Sequence, residues 1–302
     1  MTFMRSPLTM ATVGLISLGA LLVTTLNYQP AMADSASDIS TITLTPVTQR
    51  IEASTSQTKT GSLTVINNGK TDYDFIVYSR PYSVSDIQYK PDFTTLSSRA
   101  DAYSWVQFNK TSYHLTVGQR VDIAYTLHVP SNATPGGHYG VIFAEMQPKA
   151  QDNAQSILRK KRVGTILFVN VKGATIEKGS FVRDNVPFWQ TQPPLTSSLQ
   201  LRNDGNTDFA ATTSLVVKDL FGHTKYGISQ QASVFPSTTR EISMQWSESP
   251  WFGLYKVELH ASYLKEVHDS SHYVLLMPRW LPVIFIVTLL IGAAYAAIRR
   301  RR

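Results

Sequence analysis

Between positions 42 and 276 apolar and polar residues alternate in short runs separated by turn residues, and almost no window repeats with a helical period. Strand side chains point alternately to opposite faces, so this is the signature of half-buried β-strands. The pattern predicts strands over 42–47, 61–66, 74–79, 113–117, 120–129, 140–146 and 162–171. A second group follows at 175–182, 195–201, 211–217, 239–246, 255–261 and 272–276. From Val121 to Val129 the odd positions are Val, Ile, Tyr, Leu and Val, which would line a core. Between 83 and 107 the alternation lapses, which predicts a long crossover loop with one short helical turn. Trp105 is expected to plug the core where that loop rejoins the sandwich.

Two apolar runs break this rhythm. Residues 280–298 carry no charge and are followed at once by Arg299, Arg300, Arg301 and Arg302. As a helix this run would reach about 28 Å, close to the hydrocarbon thickness of a bilayer. Arginines are retained on the cytoplasmic side, so the tetrad orients a single span with everything before it outside. At the other end Arg5, an apolar stretch over 8–26 and Ala31-Met32-Ala33 have the form of a signal peptide cleaved after Ala33. The resulting domain plan is a signal peptide (1–33), a first sandwich (34–173), a second (174–279), a transmembrane helix (280–298) and a basic tail (299–302). The fold class is therefore all-β: two tandem immunoglobulin-like β-sandwiches between a signal peptide and one membrane helix. The expected location is the plasma membrane of a bacterium, type I, with the ectodomain at the cell surface.

The chain has no cysteine, so apolar packing and not disulfides must hold an exported protein of this kind. Its formal charge of +7 is local. Two blocks, 159–162 and 299–302, hold eight of the 28 basic residues, and the other 20 face 21 acidic ones. A nucleic-acid binder would carry a broad basic face, so nucleic acid is not an expected partner.

An internal echo points to duplication. Asn67-Asn68-Gly69-Lys70-Thr71-Asp72-Tyr73 matches Asn203-Asp204-Gly205-Asn206-Thr207-Asp208-Phe209 at four of seven positions, 136 residues apart. Asn-Gly and Asp-Gly here are expected to supply the positive φ of a tight turn.

Three stretches carry a family resemblance: Tyr103-Ser104-Trp105-Val106-Gln107-Phe108, then Tyr113-His114-Leu115-Thr116-Val117-Gly118-Gln119, then the segment from Val129 through Pro135-Gly136-Gly137-His138-Tyr139 to Ile142. In order and spacing they resemble the N-terminal domain of WxL-interacting proteins, a Gram-positive cell-surface family, over residues 42–172. Val117-Gly118-Gln119 reads as a turn, and Pro135 to Tyr139 as a hairpin leading into a central strand whose aromatic packs inward. The resemblance implies that the first domain binds peptidoglycan and the second a surface protein or host ligand.

Arg159, Lys160, Lys161 and Arg162 sit where a hairpin would join the last two strands of the first domain. They are candidates for contact with an anionic wall polymer or phospholipid surface. Enzyme signatures are missing: there is no Gly-x-Ser-x-Gly, no His-Glu-x-x-His and no thiol. His268 and His272 fall in an expected hairpin loop and read as surface residues, while Asp72 and Asp74 lack the further oxygen ligands calcium needs. No cofactor, metal or catalytic residue is expected. The sequence thus reads as a membrane-anchored binding or scaffold protein for wall polymer or a surface protein. Its rival is a tethered assembly chaperone that lends an edge strand to immature surface or pilus-like subunits.

Overall fold

A computed structural model describes residues 41–147 and 161–300, so the expected signal peptide lies outside the described residues. The first sandwich faces two sheets. One runs in the order β1 (Ile42–Thr45), β3 (Thr58–Asn67), β9 (Arg120–His128), β7 (Val106–Phe108). The other runs β2 (Thr48–Ala53), β11 (Arg162–Val171), β10 (Gly136–Gln147), β4 (Tyr73–Pro81), β8 (Ser112–Leu115). The second sandwich has the sheet β12 (Gly179–Asn185), β14 (Leu195–Asn203), β17 (Thr239–Trp246). Against it lies β13 (Trp189–Gln190), β19 (Glu266–Leu276), β18 (Gly253–Tyr263), β15 (Phe209–Lys218), β16 (Thr224–Val234).

Laid side by side, the two sandwiches share one topology. β1, β3 and β9 correspond to β12, β14 and β17, and the five-stranded sheets match strand for strand. Both divide their first strand between the sheets, so that β2 runs parallel to β11 as β13 does to β19, while the other pairs are antiparallel. The fold is thus the expected pair of immunoglobulin-like sandwiches. Leu63, Phe75, Ile123, Leu127, Ile142 and Leu167 centre the first core, and Leu195, Leu199, Leu201, Leu215, Val257 and Leu276 the second.

The echoed turns are built alike, though not by the expected means. Neither Gly69 nor Gly205 has a positive φ. Each turn is organised instead by a fully buried asparagine at the end of a strand. The Asn67 amide donates to the Thr71 and Leu115 carbonyls at 2.9 and 3.3 Å, and its side-chain oxygen accepts the Gly69 N–H at 3.0 Å. Asn203 repeats this with Thr207 and Val234, both at 2.8 Å, and with the Gly205 N–H at 2.8 Å. An asparagine that satisfies both its donor and its acceptor sides inside a turn needs no left-handed backbone.

Three further expectations change. The strand expected at 42–47 stops at Thr45, because Pro46 lacks an N–H and the chain crosses to the other sheet as β2. β16 was not expected, since an edge strand exposed along most of its length carries little apolar alternation. His268 and His272 lie on β19 and not in a loop, the turn being at Leu264 and Lys265. Within the crossover, the short turn is a 3-10 helix at Ala102–Trp105, preceded by a small hairpin of β5 (Ser83–Val84) and β6 (Pro91–Asp92).

Candidate functional site

β10 organises the first domain because it is buried on both faces. It starts at Gly136, so Ile142, Ala144 and Met146 enter the sandwich core, while Tyr139, Val141 and Phe143 point away from it. Tyr139 therefore does not pack into the first core as expected; strand alternation turns it toward the second sandwich. His138 occupies the inward position, 1% exposed, with its ring 4.8 Å from that of Trp105. Its Nδ1 lies 2.7 Å from Asp101 Oδ1 and its Nε2 2.7 Å from the Thr134 carbonyl. Trp105 is itself buried, the core plug anticipated for it. Gly118 makes the predicted turn with φ +75°, its N–H donating to the Asn67 carbonyl at 3.0 Å.

The outward face of β10 forms the joint between the sandwiches. Phe235, from the turn after β16, inserts among Tyr82, Tyr89, Tyr139 and Phe168 with ring centroids 4.7 to 5.7 Å apart. Around this plug Arg50 pairs with Asp208 at 2.8 Å and lies 4.3 Å over Phe168, and the Tyr139 hydroxyl donates to Asp208 at 3.2 Å. Burial, followed by the Asp208 charge, pushes the Tyr139 phenol far above its ordinary value. The backbone joins in: Gly137 N–H donates to the Asn206 carbonyl at 2.8 Å, and Glu241 N–H to the Ile87 carbonyl at 2.6 Å. Sequence reasoning missed the joint because its aromatics are scattered over five segments.

On the same sheet, under the crossover loop, lies a cleft of about 720 Å³ lined by Arg80, Pro91, Phe93, Leu96, Tyr103 and Arg162 among others. Arg162 places its guanidinium 4.6 Å over Phe143 and 5.6 Å over Phe93, and Arg80 sits 5.5 Å over Tyr78. The Tyr78 hydroxyl donates to Glu145 at 2.5 Å. At the rim, hydrogen bonds from Thr95 and Thr94 hold the Asp92 carboxyl well below its usual range. Two guanidiniums beside aromatic and apolar walls can take a carboxylate or phosphate together with a ring face. Of the predicted basic block, Arg162 reaches this cleft and Lys161 precedes β11, whereas Arg159 and Lys160 lie outside the described residues.

The remaining candidates are accounted for locally. Asp72 accepts the Val117 N–H at 2.9 Å and Asp74 pairs with His114 at 2.7 Å. His268 stacks on Phe181 and His272 pairs with Asp184 at 2.8 Å. Among the described residues no group of three His, Asp or Glu side chains could hold a metal. Ser214, His260 and Asp269 form a cross-strand row on the outer face of the second sandwich, with His260 and Asp269 2.6 Å apart. Asp269 is exposed, and no hydrogen bond links Ser214 to the imidazole, so the row lacks the buried, aligned geometry of a nucleophilic triad.

One helix among the described residues, α1 (Trp280–Arg300), is long and apolar enough to cross a membrane. It has 21 residues, an 18-residue stretch of mean hydropathy 2.4 and no buried part. Arg299 and Arg300 form its last turn, while Arg301 and Arg302 lie outside the described residues.

No family model and no curated protein matches the chain. Among solved structures it is similar to the class 5 fimbriae chaperone CfaA, with a TM-score of 0.40 and 8% identity over 79% of this chain and all of that one. It is also similar to a chain of the CsuC–CsuE chaperone–subunit complex of Acinetobacter baumannii, at 0.39 and 15% identity over 78% of this chain and 98% of that one. A chain of the Salmonella enterica SafA pilin–SafB chaperone complex gives 0.39 and 12% identity, over 78% and 96%.

Proposed function

We propose that this chain is a bacterial cell-surface binding protein of the WxL-interacting kind. In this reading α1 anchors it in the plasma membrane, and its two sandwiches hold a ligand cleft outside. The cleft under the crossover loop carries the reading. A carboxylate or phosphate of wall polymer would lie between Arg80 and Arg162, with a sugar face against Phe93, and the contact needs no bond to be made or broken. The second sandwich serves as a stalk and offers its loops and edges to a surface protein.

The test is retention of the full chain, in detergent, on purified cell wall at rising salt, compared with Arg80→Gln/Arg162→Gln. At ~1 kcal/mol per basic residue near an anionic surface, the double variant should bind roughly 30-fold more weakly and with a shallower salt slope. Equal retention and equal slope would remove the cleft from the account.

A second reading, the tethered assembly chaperone, is favoured by β16. This strand pairs only with β15, which leaves the other edge of an eleven-residue strand open to strand addition. The Gln230 side chain, on the same face as the buried Ala232 and Val234, turns inward and donates its amide to the Ser243 carbonyl of β17 at 3.0 Å. A chaperone would co-purify with a subunit before assembly and be absent from the finished complex, whereas a scaffold would remain in it.

A further inference from the structure

Three loops of the second sandwich close at the end from which α1 departs. Leu276, the last residue of β19, pairs with Gly253, which puts the loop before β18 beside the chain as it leaves for the helix. Lys218 at the end of β15 pairs with Lys256, so the β15–β16 loop lies two strands away at the same end. The third loop is tied to the departing chain directly. The Phe188 carbonyl accepts the Leu275 N–H at 2.6 Å, and the Trp189 indole N–H donates to the Met277 carbonyl at 2.8 Å.

Each loop presents two adjacent apolar residues: Phe188 with Trp189, which opens β13, Leu220 with Phe221, and Trp251 with Phe252. They are 46% to 86% exposed. Outside α1, every exposed Phe and Trp among the described residues belongs to these pairs. The tips are held outward by their own turns. Asp219 accepts the Phe221 and His223 N–H groups, both at 2.9 Å, and pairs with Lys225 at 3.1 Å, while Gly222 takes φ +85°. Ser249, buried, accepts the Leu195 N–H at 2.8 Å and pins the loop that presents Trp251 and Phe252. The opposite end of the sandwich is occupied by the joint with the first domain.

We infer that this end of the second sandwich is seated in the interfacial layer of the bilayer that α1 crosses, with the three apolar tips as its feet. The inference rests on the reading of α1 as a membrane span. Only three residues separate Leu276 from Trp280, four steps of at most ~14 Å of chain in all, so the loops stay at the depth where the helix enters. Tryptophan favours that layer, with its apolar ring toward the acyl chains and its N–H toward the headgroups. Segments 218–225, 247–258 and 277–279 hold four basic and three acidic residues, so the seat is apolar and indifferent to lipid charge. The second sandwich then stands on its end, with the first sandwich and its cleft farthest from the membrane.

The absence of cysteine allows one nitroxide label at a time on the full chain in phosphatidylcholine vesicles. Phe221→Cys and Phe252→Cys sit at the feet, Leu264→Cys at the far end of the same sandwich, and Leu289→Cys on α1. Labels at 221 and 252 should be shielded from a water-soluble nickel chelate and open to oxygen, as at 289, and should stay so in high salt; 264 should be open to the chelate. If 289 is shielded while 221 and 252 are as wet as 264, the seat is overturned and the anchor stands, and the patch is a free surface for a protein. If 289 is itself wet, both readings fall. Quenching of the unlabelled chain by brominated lipid, reduced in Trp251→Phe, reads the same contact without a label. Equal quenching of the two chains would overturn the seat.

Discussion

Removing the Phe235 ring should uncouple the two sandwiches. The ring is 7% exposed and packs on four other aromatic rings that all belong to the first domain. Truncating a buried Phe to Ala costs about 3 to 5 kcal/mol through lost transfer energy and the cavity left behind. A joint can close part of that cavity by a small hinge movement, so ~3 kcal/mol is the expected cost of Phe235→Ala. For a protein of this size 1 kcal/mol moves the melting point by about 2–4 °C, which gives a drop of roughly 6–12 °C. Most of the loss falls on the contact between the domains and little on either core. Calorimetry of the full chain in nanodiscs should therefore change from one endotherm to two, with far-ultraviolet circular dichroism at low temperature unchanged. Phe235→Leu keeps most of the volume and should keep one transition. An Ala variant whose endotherm matches the parent in shape and position would refute the joint as a source of coupling.

Two other outcomes follow from the same geometry. At Gly136, φ is +108° and an added Cβ would meet the Asn206 carbonyl at 2.1 Å, so Gly136→Ala should split the endotherm as Phe235→Ala does; Gly118→Ala, at φ +75° with open space around it, should cost only about 1–2 kcal/mol of backbone strain and leave one transition. Burial pushes the Tyr73 and Tyr125 phenols up to about 12 and raises those of Tyr82, Tyr89 and Tyr139 around the plug. Unfolded tyrosine ionises near ~10, so stability should be fully present below that pH and fall as pH rises toward 12. Melting points followed across that pH range would check this, and a melting point that stays level as pH rises toward 12 would contradict it.

The β-sandwich was legible in the sequence wherever a strand has one wet and one dry face, as β9 does with Ile123, Tyr125 and Leu127 turned inward. Legibility failed where that condition fails. β16 is wet on most of its length, and β10 is dry on both faces, so alternation alone could not say which of His138 and Tyr139 entered the core. The basic block drew attention to Arg162, but its aromatic partners Phe93 and Phe143 come from segments 50 residues apart and meet only in the fold. The three apolar loop tips were invisible for a related reason. Pairs such as Trp251-Phe252 look like core residues until strand register places them beyond the ends of the sheet.

The echoed turn is where the two sandwiches of one topology differ in a way that joins them. In the first copy Lys70 and Asp72 follow the buried asparagine, and Asp72 serves its own domain by accepting the Val117 N–H. In the second copy the equivalent positions are Asn206 and Asp208, and both reach across to the first domain. Asn206 accepts the Gly137 N–H through its carbonyl and donates its amide to the Pro135 carbonyl at 3.3 Å; Asp208 takes Arg50 and the Tyr139 hydroxyl. The asparagine scaffold is the same in both turns, so the difference between a turn that serves its own domain and one that makes the interface lies in the side chains it presents. The Pro135 to Tyr139 segment is the other half of that interface; it is not the hairpin its sequence suggested, because β9 and β10 lie in different sheets and the segment is a crossover that opens β10. Its Gly136 is required by the approach of the Asn206 carbonyl, and its Tyr139 by the aromatic plug. The segment that opens β10 is, in physical terms, the surface on which the first domain receives the second.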